Sequence, residues 1–337
     1  MLQQALQNCT FSVTVGDEHD LNVAFLQCYG QHYVAWLYVQ ELQLRPADYM
    51  HRQPNVGANS RSTVVDWLVE VCGSYKLGAS TLFLCVELLD RSLTALCTAR
   101  CDLQRLACAC LLLAAKHEEE QAPSSSALAC ISDNAFSRAG VLRTEAQVLV
   151  ALEFRVSCAT PYQYAALYCA AAGCDARQAR LCLYILELSL LDYTLVHTYV
   201  PSLRAAAAAF LARATMCTSA AAAAGAAWPP TAARFSGYGA AQLEACARRM
   251  HALHEGAEDA LLRAVREKHA RPGALRVAAL CCASDAHLRC ALRGSADAAA
   301  AAAAAAAKAA APAPAVAVAA AATAAATAMT MATRLQQ

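Results

Sequence analysis

Two clusters in this chain carry residue types suited to metal or acid–base chemistry: His251-Ala-Leu-His254 and His117-Glu-Glu-Glu120. A zinc hydrolase needs His-Glu-x-x-His on one helix face, and His251 and His254 lack that order, so they read as surface histidines. His117 to Glu120 matches a metal cluster in composition only and reads as a solvated helix end. The 18 cysteines contain no Cys-x-x-Cys, and neither Cys108-x-Cys110 nor Cys281-Cys282 has a familiar zinc spacing. No phosphate-binding loop, dinucleotide fingerprint or G-x-S-x-G elbow occurs, and Gly237-Tyr-Gly239 is a fragment that opens a helix. The residues thus offer no catalytic group, no cofactor site and no metal site.

Charges set into apolar helices are more informative. Asp66 directly precedes Trp67, and Asp90-Arg91 follows Leu88-Leu89. A charge so near a core needs a partner, and Arg61 is the candidate for Asp90. Lys116 and Glu145 lie on different segments, each at the border of an apolar face. Their spacing alone leaves them as two unrelated solvated charges.

Helical periodicity must position these residues. Leu21 to about Leu44 is helix-compatible and is closed by Pro46, with a break at Gln53-Pro54-Asn55 and Gly57. In the next segment Val64, Val65, Leu68, Val69, Cys72 and Tyr75 recur at helical spacing up to Gly78. A second begins near Ser80, and a third is capped by Asp102 and carries Lys116 in its last turn, where a cation suits the helix dipole. A short fourth follows Pro123-Ser-Ser-Ser126, and Ser137 caps a fifth with Val141, Leu142, Leu149 and Leu152 on its apolar side. Thr160-Pro161 opens a second series: Pro161–Ala172, Ala176–Leu191, Pro201–Thr215, Gly239–His254 and Gly256–His269, with Ser219 to Phe235 as a loop or insertion. The expected fold is all-α, two tandem five-helix units behind an N-terminal helix. Its divisions are a lead-in at 1–20, helix and linker at 21–55, units at 56–158 and 159–275, and an Ala-rich tail at 276–337 that is not a packed domain.

A chain of 337 residues can bury two cores of ordinary size. Its 27 basic and 26 acidic residues leave a net charge of +1, which argues against nucleic acid and anionic lipid as partners. Hydrophobic residues make up 58%, but much of this is alanine, a strong helix former with little area to bury. The cysteines read as small, reduced, buried residues of a nuclear or cytoplasmic protein, and no secretory signal opens the chain. Ala313 to Thr333 is uncharged, yet alanine contributes too little to insertion for a membrane anchor, so the tail reads as low-complexity filler.

Val65-Asp-Trp-Leu-Val-Glu-Val71, Leu89-Asp-Arg-Ser-Leu93, Leu113-Ala-Ala-Lys-His-Glu-Glu119, Leu142-Arg-Thr-Glu-Ala-Gln-Val-Leu149 and Leu152-Glu-Phe154 together resemble the cyclin box of mitotic cyclins. The resemblance continues into a second cyclin fold at Thr160-Pro161, Glu187 to Tyr193 and Tyr199-Val-Pro-Ser202, and covers about Leu21 to Ala270. Leu191 to His197 looks more like B-type than A-type cyclins. It implies a non-enzymatic regulatory subunit that binds and activates a cyclin-dependent kinase at G2/M. The kinase-facing residues it implies are Lys116 and Glu145, with Leu113, Leu149 and Phe154 around them. The implied mechanism holds the kinase's αC helix inward and reshapes its activation loop. The alternative is a divergent cyclin-fold module that binds a kinase weakly or without activating it. A transcription-factor-IIB-like use of the fold on DNA is opposed by the missing basic stripe.

Several positions depart from the pattern. The family's Met-Arg-Ala-Ile-Leu substrate-docking patch reads Ser60-Arg-Ser-Thr-Val64, while Val64, Trp67, Glu70 and Gln104 still stand at patch positions. Losing Met and Ile from the apolar floor weakens docking of substrates or inhibitors with Arg-x-Leu motifs, by about 1 kcal/mol per lost contact. Arg105 replaces a core leucine, so it must snorkel or its helix must rotate. His117 replaces an aromatic residue beside Lys116. The lead-in holds no convincing destruction box, and Arg100-Cys-Asp-Leu103 has the spacing but starts a helix.

Overall fold

The computed structural model describes residues 32–133, 135–217 and 226–295, and the described residues are helical with no strand. The lead-in at 1–20, the start of the first expected helix and the alanine-rich residues from 296 onward lie outside them. Helix α1 spans 32–44. The first unit follows as α2 (Ala58–Ser74), α3 (Ala79–Ala95), α4 (Leu103–Glu118), α5 (Ser125–Cys130) and α6 (Arg138–Ala151). The second contains α7 (Pro161–Ala172), α8 (Ala176–Leu191), α9 (Tyr193–Thr198), α10 (Pro201–Met216), α11 (Pro230–Ser236), α12 (Ala240–Glu255) and α13 (Ala264–Ala270). A last helix, α14, spans 285–295.

Each unit is built around one helix buried on all sides. In the first it is α4, whose run from Leu106 to Ala115 is inaccessible and which packs on α2, α3, α5 and α6. In the second it is α10, packed on α7, α8 and α12. Its run Ala205–Ala209 is wholly buried, so alanine here lets three neighbours approach the axis closely. Larger side chains such as Phe210, Leu211, Tyr164 and Leu186 then fill the space between layers.

The starts of the helices follow the sequence in most places. Ser137 accepts from Gly140 N at 3.1 Å, and Gln163 Oε1 accepts from Thr160 N at 2.7 Å ahead of Pro161. Asp102 is the exception. Its side chain makes no cap and pairs with Arg105 at 3.0 Å, because Asp102 already has helical dihedrals at the end of a 3-10 turn. Arg105 itself snorkels, with Nε donating to Thr144 Oγ1 at 3.1 Å on α6.

Three local expectations are corrected. Ser219 to Phe235 is not simply loop, since Pro230 starts α11, which Gly237 ends at φ +76°. The expected helix Gly256–His269 is helical only from Ala264, with 256–263 in turns. On α6, Leu142 faces solvent rather than the core, which takes Val141, Val148 and Leu152. Packing also continues past 275: Val277, Leu288 and Leu292 are buried.

The two units and α1 are fastened by polar contacts across long sequence separations. Glu41 on α1 accepts from Ser202 N at 2.7 Å and Ser202 Oγ at 2.8 Å, at the start of α10. Asp66 on α2 accepts from Ala264 N at 3.1 Å, at the start of α13. Arg61 donates from Nη1 to Leu190 O at 2.7 Å.

Candidate functional site

Lys116 and Glu145, unrelated by spacing, meet in three dimensions. Lys116 Nζ lies 2.5 Å from Glu145 Oε1, joining the last turn of α4 to the middle of α6. Lys116 is half exposed and Glu145 is largely buried, so the pair sits at the rim of the unit with its lysine toward solvent. Leu113 lies behind it in the core, and Leu149 is half-buried one helical turn beyond Glu145. Leu142 shares the stripe of Glu145 and Leu149 and is exposed, an addition that periodicity assigned to the core.

Phe154 stands 69% exposed on the turn that ends α6. Glu153 and Phe154 both hold left-handed dihedrals, φ +52° and +58°, which non-glycine residues adopt at a cost. Backbone bonds over-determine the turn: Phe154 N donates to Leu149 O at 2.8 Å, and Arg155 N to Leu152 O at 2.9 Å. The ring is thereby held outward, away from the core its size would favour.

Helix α1 extends this surface. Trp36, Val39 and Leu42 recur at helical spacing and are exposed, Leu42 at 81%. The buried side of α1 is fixed to the second unit by Glu41 and by Tyr38, whose hydroxyl lies 2.9 Å from that of Tyr168. Burial raises the Tyr33 phenol, as does the charge of nearby Glu118 at the end of α4. At its other end, Gln43 to Pro46 line a cleft shared with Ala151 to Arg155. Helix α1 thus borders the ends of α4 and α6, and apolar side chains on α1, α6 and the Phe154 turn are left exposed.

A separate groove of about 340 Å³ is lined by Ser60, Thr63, Val64, Trp67, Arg100, Leu103 and Gln104. It brings Val64, Trp67 and Gln104 together, with Ser60 and Thr63 as its small polar floor. Glu70 is exposed one turn beyond Trp67 and is not part of the lining. Arg100 is, and nothing in the residue pattern marks it beyond its place in Arg100-Cys-Asp-Leu103. Leu103 of that motif is buried, within folded structure.

Arg61–Asp90 is an internal pair. The guanidinium donates from Nε and Nη2 to the two carboxylate oxygens at 2.7 Å each, and both side chains are fully buried. The Tyr49 hydroxyl donates to Asp90 Oδ1 at 2.7 Å. Although burial alone would raise the carboxyl, Arg61 beside it holds Asp90 below the usual range. A second buried carboxylate, Glu187, meets Lys268 at 2.7 Å and His269 at 3.0 Å. Although burial would raise this carboxyl, Lys268 first and His269 beside it outweigh that and hold it down at about 2.

Among the described residues no group of three or more His, Cys, Asp or Glu is arranged to hold a metal ion. His254, expected at the surface, is buried against Tyr184, and burial lowers it to about 4. His251 is also buried, with Nε2 2.6 Å from Ala283 O, because α14 and the turns before it cover this face. Among the described residues no helix is long and apolar enough to cross a membrane.

The chain matches the family "Cyclin, N-terminal domain" over residues 33–157 and "Cyclin, C-terminal domain" over 159–283. It is 35% identical over 228 residues to G2/mitotic-specific cyclin-2 of Antirrhinum majus, covering 67% of this chain and 50% of that protein. It is 37% identical over 230 residues to cyclin-A1 of Carassius auratus, covering 68% and 57%. With cyclin-B1-4 of Arabidopsis thaliana the identity is 34% over 245 residues, covering 72% and 62%. A- and B-type names stand side by side, and the chain spans about half to 62% of these relatives' lengths. The fold is similar to the X-ray structure of a viral cyclin from herpesvirus saimiri, with a TM-score of 0.53 at 18% identity, over 64% of this chain and 96% of that one. With both domains matched in order, the chain belongs to the cyclin family.

Proposed function

We propose that this protein is a mitotic cyclin, nearer the B-type, that docks on a cyclin-dependent kinase through the face of α1, α4 and α6 and activates it at G2/M. The supporting observation is the Lys116–Glu145 pair at 2.5 Å, with half-buried Leu149 and exposed Leu142 and Phe154 on the same helix and its closing turn. In the free protein the lysine end of the pair is open to solvent, which screens it and keeps its contribution to stability small. Covered by a partner it is desolvated, and truncating one member then costs about 2–5 kcal/mol of affinity. Leu142, Phe154 and Leu42 supply apolar area for the same interface, on a scale of about 25 cal/mol per Å².

In this reading the protein does no chemistry. It holds the kinase's αC helix inward so that its glutamate pairs with the ATP-positioning lysine, and it reshapes the activation loop. The groove around Trp67 takes Arg-x-Leu segments weakly, because Ser60 and Thr63 offer little apolar area and Arg100 adds a like charge to the incoming arginine. Free cysteines among the described residues suit the nucleus and cytoplasm, where we place it.

A second reading, binding without activation, is favoured by His117. It replaces an aromatic residue beside Lys116 and lies 2.8 Å from Glu118 instead of offering ring area. Histone phosphorylation by a mitotic cyclin-dependent kinase, with and without the purified protein, separates the two. Stimulation abolished by Lys116→Ala and Glu145→Ala supports activation. A complex that forms without stimulation supports the second reading, and no complex at micromolar concentration removes both.

A further inference from the structure

A pocket of about 190 Å³ lies between the end of α1 and the end of α6, lined by Arg45, Arg91, Thr94, Glu153 and Arg155 among others. Three arginines from three separate segments line it together with one glutamate. Glu153 reaches Arg155 only at 3.5 Å, and both are exposed, so that pairing is weak. Arg45 donates to the His197 carbonyl, a neutral acceptor that leaves its charge uncompensated.

Arg91 is the member that requires explanation. It is only 7% exposed, and its Nη1 is buried without a hydrogen-bond partner. Arginine cannot shed its proton, so a buried, unpaired guanidinium nitrogen is a standing cost. No neighbouring carboxylate hydrogen-bonds that nitrogen. Asp90 is engaged by Arg61 and Tyr49, and Glu87 is influenced more by Arg204 than by Arg91, while Arg204 Nε and Nη1 are also unpartnered. Arg61, Arg91 and Arg204 share the interior with the buried carboxyls of Asp90, Glu87 and Glu41.

We propose that the Arg45–Arg91–Arg155 pocket binds a phosphate group. Three cations and one anion leave two positive charges at the pocket, which matches a phosphate carrying about −1.5 to −2. Guanidinium forks suit the oxygens of a tetrahedral oxyanion, and the pocket has room for one with water, whose own share of liquid volume is about 30 Å³. The pocket abuts the Phe154 turn. A phosphorylated side chain on the docked partner is therefore one source, which rests on the kinase-binding reading, and free inorganic phosphate is the other, which does not.

Calorimetric titration of the full chain tests this without any kinase. The probes are sodium phosphate and N-acetyl-phosphothreonine-N-methylamide, with ionic strength held constant by chloride. Saturable one-site binding is expected, weakened about tenfold or more by Arg155→Ala and unaffected by Arg177→Ala, an exposed arginine on α8. Arg155 is exposed, so its replacement leaves folding intact. Tighter binding of phosphothreonine assigns the site to a phosphorylated chain, and tighter binding of inorganic phosphate assigns it to the free ion. No saturation with either probe, or equal weakening by Arg177→Ala, overturns the proposal.

Discussion

Replacing Asp90 with alanine strikes the joint of the whole molecule. Arg61 is fully buried and spends three donors, two on Asp90 and one on Leu190 O across the boundary between the units. Asp90→Ala removes two charge-assisted bonds at 2.7 Å and the acceptor of the Tyr49 hydroxyl, and it strands a guanidinium in the core. Breaking a buried pair from one side costs about 3–5 kcal/mol, a large share of the 5–15 kcal/mol typical of a folded protein. Arg61→Ala strands the carboxylate in the same way, so the double variant loses less than the sum, with coupling of about 2–3 kcal/mol. The pH dependence has a definite sign. Asp90 is held below its ordinary value, so its contribution is present above the unfolded carboxyl's range, near 4, and is lost as pH falls through the folded one. Urea denaturation of the four proteins, followed by circular dichroism from neutral to acid pH, measures all of this. A loss below about 1 kcal/mol for Asp90→Ala, or no coupling, would refute the argument.

Burial raises Glu87 to about 7, so the folded state holds that proton more firmly and stability falls as pH rises from about 4.5 to 7. His254, lowered to about 4, works oppositely, its stability contribution being lost as pH falls from about 6.5 to 4. Glu87→Gln removes the first effect, so its urea midpoint should gain on wild type as pH rises across that window; parallel curves would contradict the assignment. Restoring the apolar floor with Ser60→Met and Thr63→Ile should tighten an Arg-x-Leu peptide by about 2 kcal/mol, and fluorescence titration showing no gain would place the weakness elsewhere. Glu41→Ala strands the Ser202 amide at the start of α10, costs about 1–3 kcal/mol and frees α1, which limited proteolysis between residues 44 and 49 should detect as faster cleavage.

Much of the helical framework is legible from periodicity, because α2, α3, α4 and α8 are long and carry regular apolar faces. The Arg61–Asp90 pair is legible for a related reason: two opposite charges on apolar helices have few alternatives. Lys116–Glu145 is not legible from spacing, which reports the face of a residue but not the partner helix. Only the ordered resemblance pointed to it. The fastenings made by Glu41 and Asp66 were invisible on the same grounds, since each caps a helix 161 or 198 residues away. Leu142 departs from its expected core place because the apolar stripe of α6 is wider than the strip the core covers. Helix α11 was hidden by its composition, a proline start in an alanine-rich run that carries little amphipathic signal.

The affinity of the purified protein for a mitotic cyclin-dependent kinase, measured by calorimetry for wild type and Lys116→Ala, tests the central claim most directly. Micromolar or tighter binding is expected, weakened by about 2–5 kcal/mol in the variant, with the variant's own stability changed by less than about 1 kcal/mol. No binding at micromolar concentration, or an affinity indifferent to Lys116, would contradict the docking face described for α1, α4 and α6.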